Sequence, residues 1–81
     1  MEVKYYKPAQ KFLRGQDKKT ALRIHQAVNE LPDRKIGRLQ GNHRPPLSYT
    51  RVGDLRIIFH LEGSVIHVLR IDSRGDVYKG L

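Results

Sequence analysis

The chain has no cysteine, and only eight acidic residues stand against 16 lysines and arginines. The absence of cysteine excludes disulfides and thiolate metal sites. The four histidines lack the H-x-x-x-H spacing that places two ligands on one helix face, so no metal and no cofactor are expected. No apolar run approaches the roughly 18 residues of a membrane span. The start lacks the charged, apolar and small-residue order of a secretory signal. No internal repeat or low-complexity stretch is present. These absences predict a cytoplasmic protein with no membrane association.

What remains is a chain of 81 residues, expected to form one domain over residues 1–81 around one modest core. Its net charge of +8 speaks to partners more than to fold. It suits a polyanion such as nucleic acid, or an acidic protein partner. Lysine dominates the first nineteen residues and arginine dominates from Arg38 onward. Arginine forks onto phosphate oxygens in a fixed geometry, and lysine does not.

The pattern predicts an α+β domain. Val3, Tyr5 and Tyr6 mark a short opening strand. Pro8 fits the first turn of a helix that stops at Gly15. Asp17 can cap a second helix. In that helix Ala21, Ile24, Ala27, Val28 and Leu31 recur at helical spacing, and Leu22 widens the stripe. Pro32 and Asp33 end it. The basic stretch from Asp33 to Pro46 reads as loop, with room for a short strand near Ile36 to Leu39. Strands follow at Leu47–Val52, Leu55–Leu61 and Ser64–Ile71. Gly53–Asp54 and Glu62–Gly63 are the expected two-residue turns. The helical hairpin should cover one face of a mainly antiparallel sheet of three to four strands.

Counting outward from the turns sets a register. Arg51 then faces Arg56, Tyr49 faces Ile58 and Leu47 faces His60. Across the second turn His60 faces Val65, Ile58 faces His67 and Arg56 faces Leu69. Alternation puts Leu55, Ile57, Phe59, Ile66 and Val68 against the helices. Tyr49, Arg51, Arg56, Ile58, His60 and His67 fall on the other face. Two arginines directly opposite one another repel unless something neutralises them. A bound phosphate would do so, and so would Asp54, Asp72 or Asp76. In the polar tail, a helical turn would bring Arg74 and Tyr78 to one side, where they suit one phosphate and one stacked base.

Two segments carry a resemblance to a known family. They are Tyr49-Thr50-Arg51-Val52-Gly53-Asp54-Leu55-Arg56-Ile57-Ile58-Phe59 and Val68-Leu69-Arg70-Ile71-Asp72-Ser73-Arg74-Gly75-Asp76-Val77-Tyr78. Together they resemble the RelE/ParE toxin superfamily, with its R-x-G-D-hydrophobic-R strand pair and R-x-D-V-Y ending. Lys11-Phe12-Leu13, Val28-Asn29-Glu30-Leu31-Pro32 and Leu39-Gln40-Gly41 are similar to its helical hairpin and L-x-G segment. The resemblance covers nearly the whole chain. It implies a RelE-like fold related to microbial ribonucleases and a cognate antitoxin. It also implies metal-independent cleavage of mRNA in the ribosomal A site by the RNA's own 2′-hydroxyl.

Matched position by position, the resemblance gives Arg51, Arg56, Arg74 and Tyr78 as catalytic residues. His43, Arg44 and Tyr49 are expected to bind RNA. Ser73 stands where many members carry histidine, and Tyr49 where many carry arginine or lysine. The general base is therefore open among His43, Tyr49, His60 and His67. Two other functions share the fold: a ParE-like inhibitor of DNA gyrase, and an inactive homologue that only binds an antitoxin.

Overall fold

The computed structural model describes residues 2–31, 33–39 and 46–73. Strand β1 (Glu2–Tyr5) leads into helices α1 (Lys7–Arg14) and α2 (Lys18–Asn29). Strands β2 (Gly37–Arg38), β3 (Ser48–Val52), β4 (Leu55–Glu62) and β5 (Val65–Ser73) follow. They form a five-stranded sheet in the order β1-β5-β4-β3-β2. This exceeds the three to four strands expected, because the opening segment and the short Gly37–Arg38 piece both join the sheet. β1 pairs with β5 in parallel, and the other pairs are antiparallel.

The two helices begin differently, α1 with a proline that has no N–H to leave unmet and α2 with a side-chain cap. Pro8 sits in the first turn of α1. The Asp17 side chain accepts from the Thr20 N–H at 2.9 Å, and hydrogen bonding from Thr20 holds its carboxyl below the usual value. Regular helix ends at Asn29 rather than Leu31, with Glu30 as the cap. Ala9, Ile24, Ala27, Val28 and Leu31 turn inward onto Val52, Ile57, Phe59, Ile66, Val68 and Ile71. Phe59 is 1% exposed, so its truncation to Ala should cost about 3–5 kcal/mol. Leu55 is only half-buried at the rim of this core, and Leu22 lies in solvent rather than widening the stripe.

The first hairpin has the expected register, with Val52 opposite Leu55, Arg51 opposite Arg56 and Tyr49 opposite Ile58. The second does not. Its turn is Gly63–Ser64, not Glu62–Gly63, because Glu62 pairs with Val65. Gly63 has φ +61° and Gly53 has φ +59°. A two-residue turn with positive φ at its first central position favours glycine there, and Glu62 would be strained. His60 therefore faces His67 rather than Val65. A bulge between Ile58 and Phe59 shifts the rest, so Ile58 faces Arg70 and Arg56 faces Asp72.

Candidate nucleic-acid interface

The sheet face turned away from the helices carries the polar chemistry. Near the Gly53–Asp54 turn, Tyr49, Arg51 and Arg56 come together. The Tyr49 ring centre lies 5.9 Å from the Arg51 guanidinium and 5.8 Å from that of Arg56. A cation beside an aromatic face gains about 0.5–1 kcal/mol at an exposed site. The ring thus holds together two cations that would otherwise repel.

Tyr49 is itself placed by a glycine. An added Cβ on Gly37 would come within 2.7 Å of the Tyr49 ring and hydroxyl. Only a residue without a side chain lets the ring lie across β2.

The arginine pair has an internal counter-charge. Arg56 Nε lies 3.4 Å from Asp72 Oδ1, and Arg70 Nη2 lies 3.3 Å from Asp72 Oδ2. Of the carboxylates considered from sequence, Asp72 takes this role. One carboxylate serves two guanidiniums, and Arg51 has no ion-pair partner among the described residues. The cluster therefore keeps an excess of positive charge. Ile58, between the two ends of the face, is buried.

Arg70 joins this cluster through Asp72, a position that simple alternation from the turn does not single out. The signal was present in the spacing of the buried positions on β5. Ile66 and Val68 alternate, but the next buried residue is Ile71. That extra residue marks the bulge, which turns Arg70 and Asp72 onto the polar face.

His60 and His67 form a separate cluster toward the Gly63–Ser64 end. Their rings stack with centres 4.4 Å apart and planes 6° apart. The Tyr6 hydroxyl hydrogen-bonds His67 Nδ1 at 3.1 Å. His60 lies four residues from Arg56 on one strand, about 13 Å at roughly 3.3 Å per residue. The backbone of the histidine pair thus lies well along the strands from the two arginines. Stacked, nearly parallel rings also aim their lone pairs in parallel planes, which does not suit one shared metal ion. Among the described residues no group of three or more His, Asp or Glu is arranged to hold a metal. His43, Arg44, Arg74 and Tyr78 lie outside the described residues.

A cavity of about 680 Å³ opens beside the arginine cluster, lined by Glu30, Arg34, Lys35, Ile36, Tyr49 and Arg51 among others. Its volume is in the range of small-ligand sites. No described helix is long and apolar enough to cross a membrane.

This arrangement, two helices on a mixed sheet with arginines on the open face, is that of a RelE/ParE-type toxin. The sequence profile of the family described as "ParE toxin of type II toxin-antitoxin system, parDE" matches residues 3–78, and the chain belongs to that family. A comparison with curated protein sequences gives no match. Among solved structures, the fold is similar to that in an archaeal RelE–RelB complex from Pyrococcus horikoshii, with a TM-score of 0.73 and 27% identity. That match covers 91% of this chain and 94% of the other. Two Helicobacter pylori structures, a copper-bound mutant toxin and a conserved hypothetical protein, share the fold at TM-scores of 0.68. Each is 16% identical, over 96% of this chain and 99% of the other.

Proposed function

We propose that this toxin is a metal-independent endoribonuclease that cleaves mRNA in the ribosomal A site and is neutralised by a cognate antitoxin. The observation that carries the reading is the pair Arg51 and Arg56 beside the Tyr49 ring on one open sheet face, with Arg70 joined to Arg56 through Asp72. Guanidiniums bind phosphate through paired N–H donors and stabilise the charge that develops on it. An aromatic ring beside them offers a surface for a base.

In the proposed reaction the 2′-oxygen attacks the adjacent phosphorus and the bond to the 5′-oxygen breaks. The products are a 2′,3′-cyclic phosphate and a 5′-hydroxyl. A base takes the proton of the 2′-hydroxyl, and an acid returns one to the departing oxygen. Arg51 and Arg56 hold the phosphate, and Arg74 adds a third contact. Tyr78 stacks on a base or assists proton transfer, and His43, Arg44 and Tyr49 bind the flanking RNA. The RelE–RelB pairing of the Pyrococcus structure supports an antitoxin partner here as well. The basic balance of the chain favours an acidic or amphipathic one that covers the arginine face.

A second reading is inhibition of DNA gyrase by binding, favoured by the match to a ParE toxin family. One experiment separates the two. The purified toxin is incubated with programmed ribosomes and, in parallel, with gyrase and relaxed plasmid. New 5′ ends in the mRNA with unimpaired supercoiling are expected. Blocked supercoiling without cleavage would establish the second reading instead.

A further inference from the structure

The edge of the sheet is incomplete beside the arginine cluster. β2 pairs with β3 only at Ser48 and Tyr49. Past Tyr49, the outer edge of β3 has no strand partner among the described residues. A strand edge leaves backbone acceptors without a ladder. Arg34, in the segment after α2, fills this gap. Its Nη2 donates to the Arg51 carbonyl at 2.8 Å. Its Nε donates to Thr50 Oγ1 at 3.2 Å, and Thr50 Oγ1 donates in turn to the Lys35 carbonyl at 3.1 Å. Nη1 donates to Glu30 Oε1 at 2.6 Å.

We propose that Arg34 is a positioning residue, whose guanidinium replaces the missing edge strand and fixes the β3 backbone that presents Tyr49 and Arg51. Three features favour this role over direct RNA contact. The charge of Arg34 is already met by Glu30. Its three nitrogens each meet a different acceptor, which the single ammonium of lysine does not reproduce. Its partner Thr50 is 1% exposed, on the core side of the strand. The hydroxyl is therefore removed from water and depends on Arg34 and Lys35 for its bonds. Side chains alternate along a strand, so anchoring Thr50 below orients Tyr49 and Arg51 above. In its functional consequence the proposal rests on the ribonuclease reading.

The test uses the full-length toxin carrying Arg34→Lys, Arg34→Gln, Thr50→Val or Thr50→Ser. Cleavage on programmed ribosomes gives kcat, KM and their salt dependence, and circular dichroism checks folding. NMR follows the Tyr49 ring and the Arg51 amide. Both Arg34 variants and Thr50→Val are expected to lose kcat by about a hundredfold, the cost of displacing a reacting group by roughly 1 Å. KM and the salt slope should hold, Thr50→Ser should match the parent, and the two reporter resonances should shift. Full activity of Arg34→Lys would show that charge alone matters and overturn the proposal. So would a raised KM with a salt slope reduced by about one, the mark of a lost phosphate contact. If the Arg34 variants do not fold, the Thr50 pair decides. If the parent does not cleave, the ribonuclease reading fails, while unmoved resonances in the variants would separately refute the positioning role.

Discussion

Arg56→Ala separates catalysis from stability, because the structure makes one effect large and the other small. The Arg56 side chain is 21% exposed and that of Asp72 15% exposed, with 3.4 Å between the charged atoms. Partly solvated pairs of this kind contribute about 0–1 kcal/mol. Asp72 would not be stranded, since Arg70 remains 3.3 Å away. Arg51 would lose a like charge directly opposite, which offsets part of the loss. The weak contact with the Tyr49 ring adds about 0.5–1 kcal/mol at most. A net loss near 1 kcal/mol lowers Tm by about 4–8 °C in a domain of this size. By contrast, removing one donor that stabilises transition-state charge costs about 10²–10³ in rate. Arg56→Lys should fall between, because it keeps the charge and loses the fork. The assay is cleavage of ribosome-bound mRNA by purified variants, with thermal melts on the same samples. A folded Arg56→Ala protein that cuts as fast as the parent would refute the assigned site.

Other perturbations should act in defined directions. Arg74→Ala should abolish growth arrest with the fold intact, whereas Tyr78→Ala should weaken cleavage by no more than the about 1–3 kcal/mol of one stacked base; induction in cells and cleavage rates in vitro check both. Asp72→Asn removes the carboxylate shared by Arg56 and Arg70, so RNA should bind more tightly and with a steeper salt dependence, as measured by titration at several ionic strengths. Gly37→Ala would drive a methyl group into the Tyr49 ring; the ring resonance should move and cleavage should fall while the melt changes little. Cleavage of ribosome-bound mRNA should persist in chelator at levels that leave the ribosomes intact, and its loss on intact ribosomes would contradict the metal-free mechanism.

The first hairpin was legible because Gly53 stands at the one turn position that requires positive φ, and everything from Tyr49 to Ile58 follows by counting. The second failed by one residue at the turn. Glu62–Gly63 and Gly63–Ser64 are both glycine pairs, but only the latter puts glycine first. The polar face of β4 survived that error, since a shift of the turn by one residue moves the register by two and preserves each side chain's face. The bulge did not leave β5 intact. It reversed the alternation beyond Val68 and, added to the two-residue shift from the turn, brought Asp72 against Arg56 in place of Leu69. A bulge inserts a residue without a turn signal, so only the three-residue step from Val68 to Ile71 betrays it. Arg34 was not legible for a different reason. Its role depends on where β2 stops, and a two-residue strand leaves almost no periodic pattern.

The division of labour within the proposed site follows from what its groups can and cannot do. Arginine stays protonated and cannot act as a base. The stacked histidines sit about four residues, or roughly 13 Å, away along the strands. His25 lies on α2 and is bonded by the Tyr5 hydroxyl at 3.0 Å. Asp72 is held between two guanidiniums. The Tyr49 ring lies beside both Arg51 and Arg56, which makes its hydroxyl a candidate to exchange a proton there. On the proposed reading this face works mainly by charge and position, and proton transfer, usually about 10²–10⁴ of the acceleration, falls to Tyr49 and the tail. A site weighted in this way depends on a substrate already held in line, since orientation alone can supply about 7–11 kcal/mol of a barrier. An mRNA held in line on the ribosome would meet that requirement, so the proposed substrate and the weighting of this face toward charge and position stand or fall together.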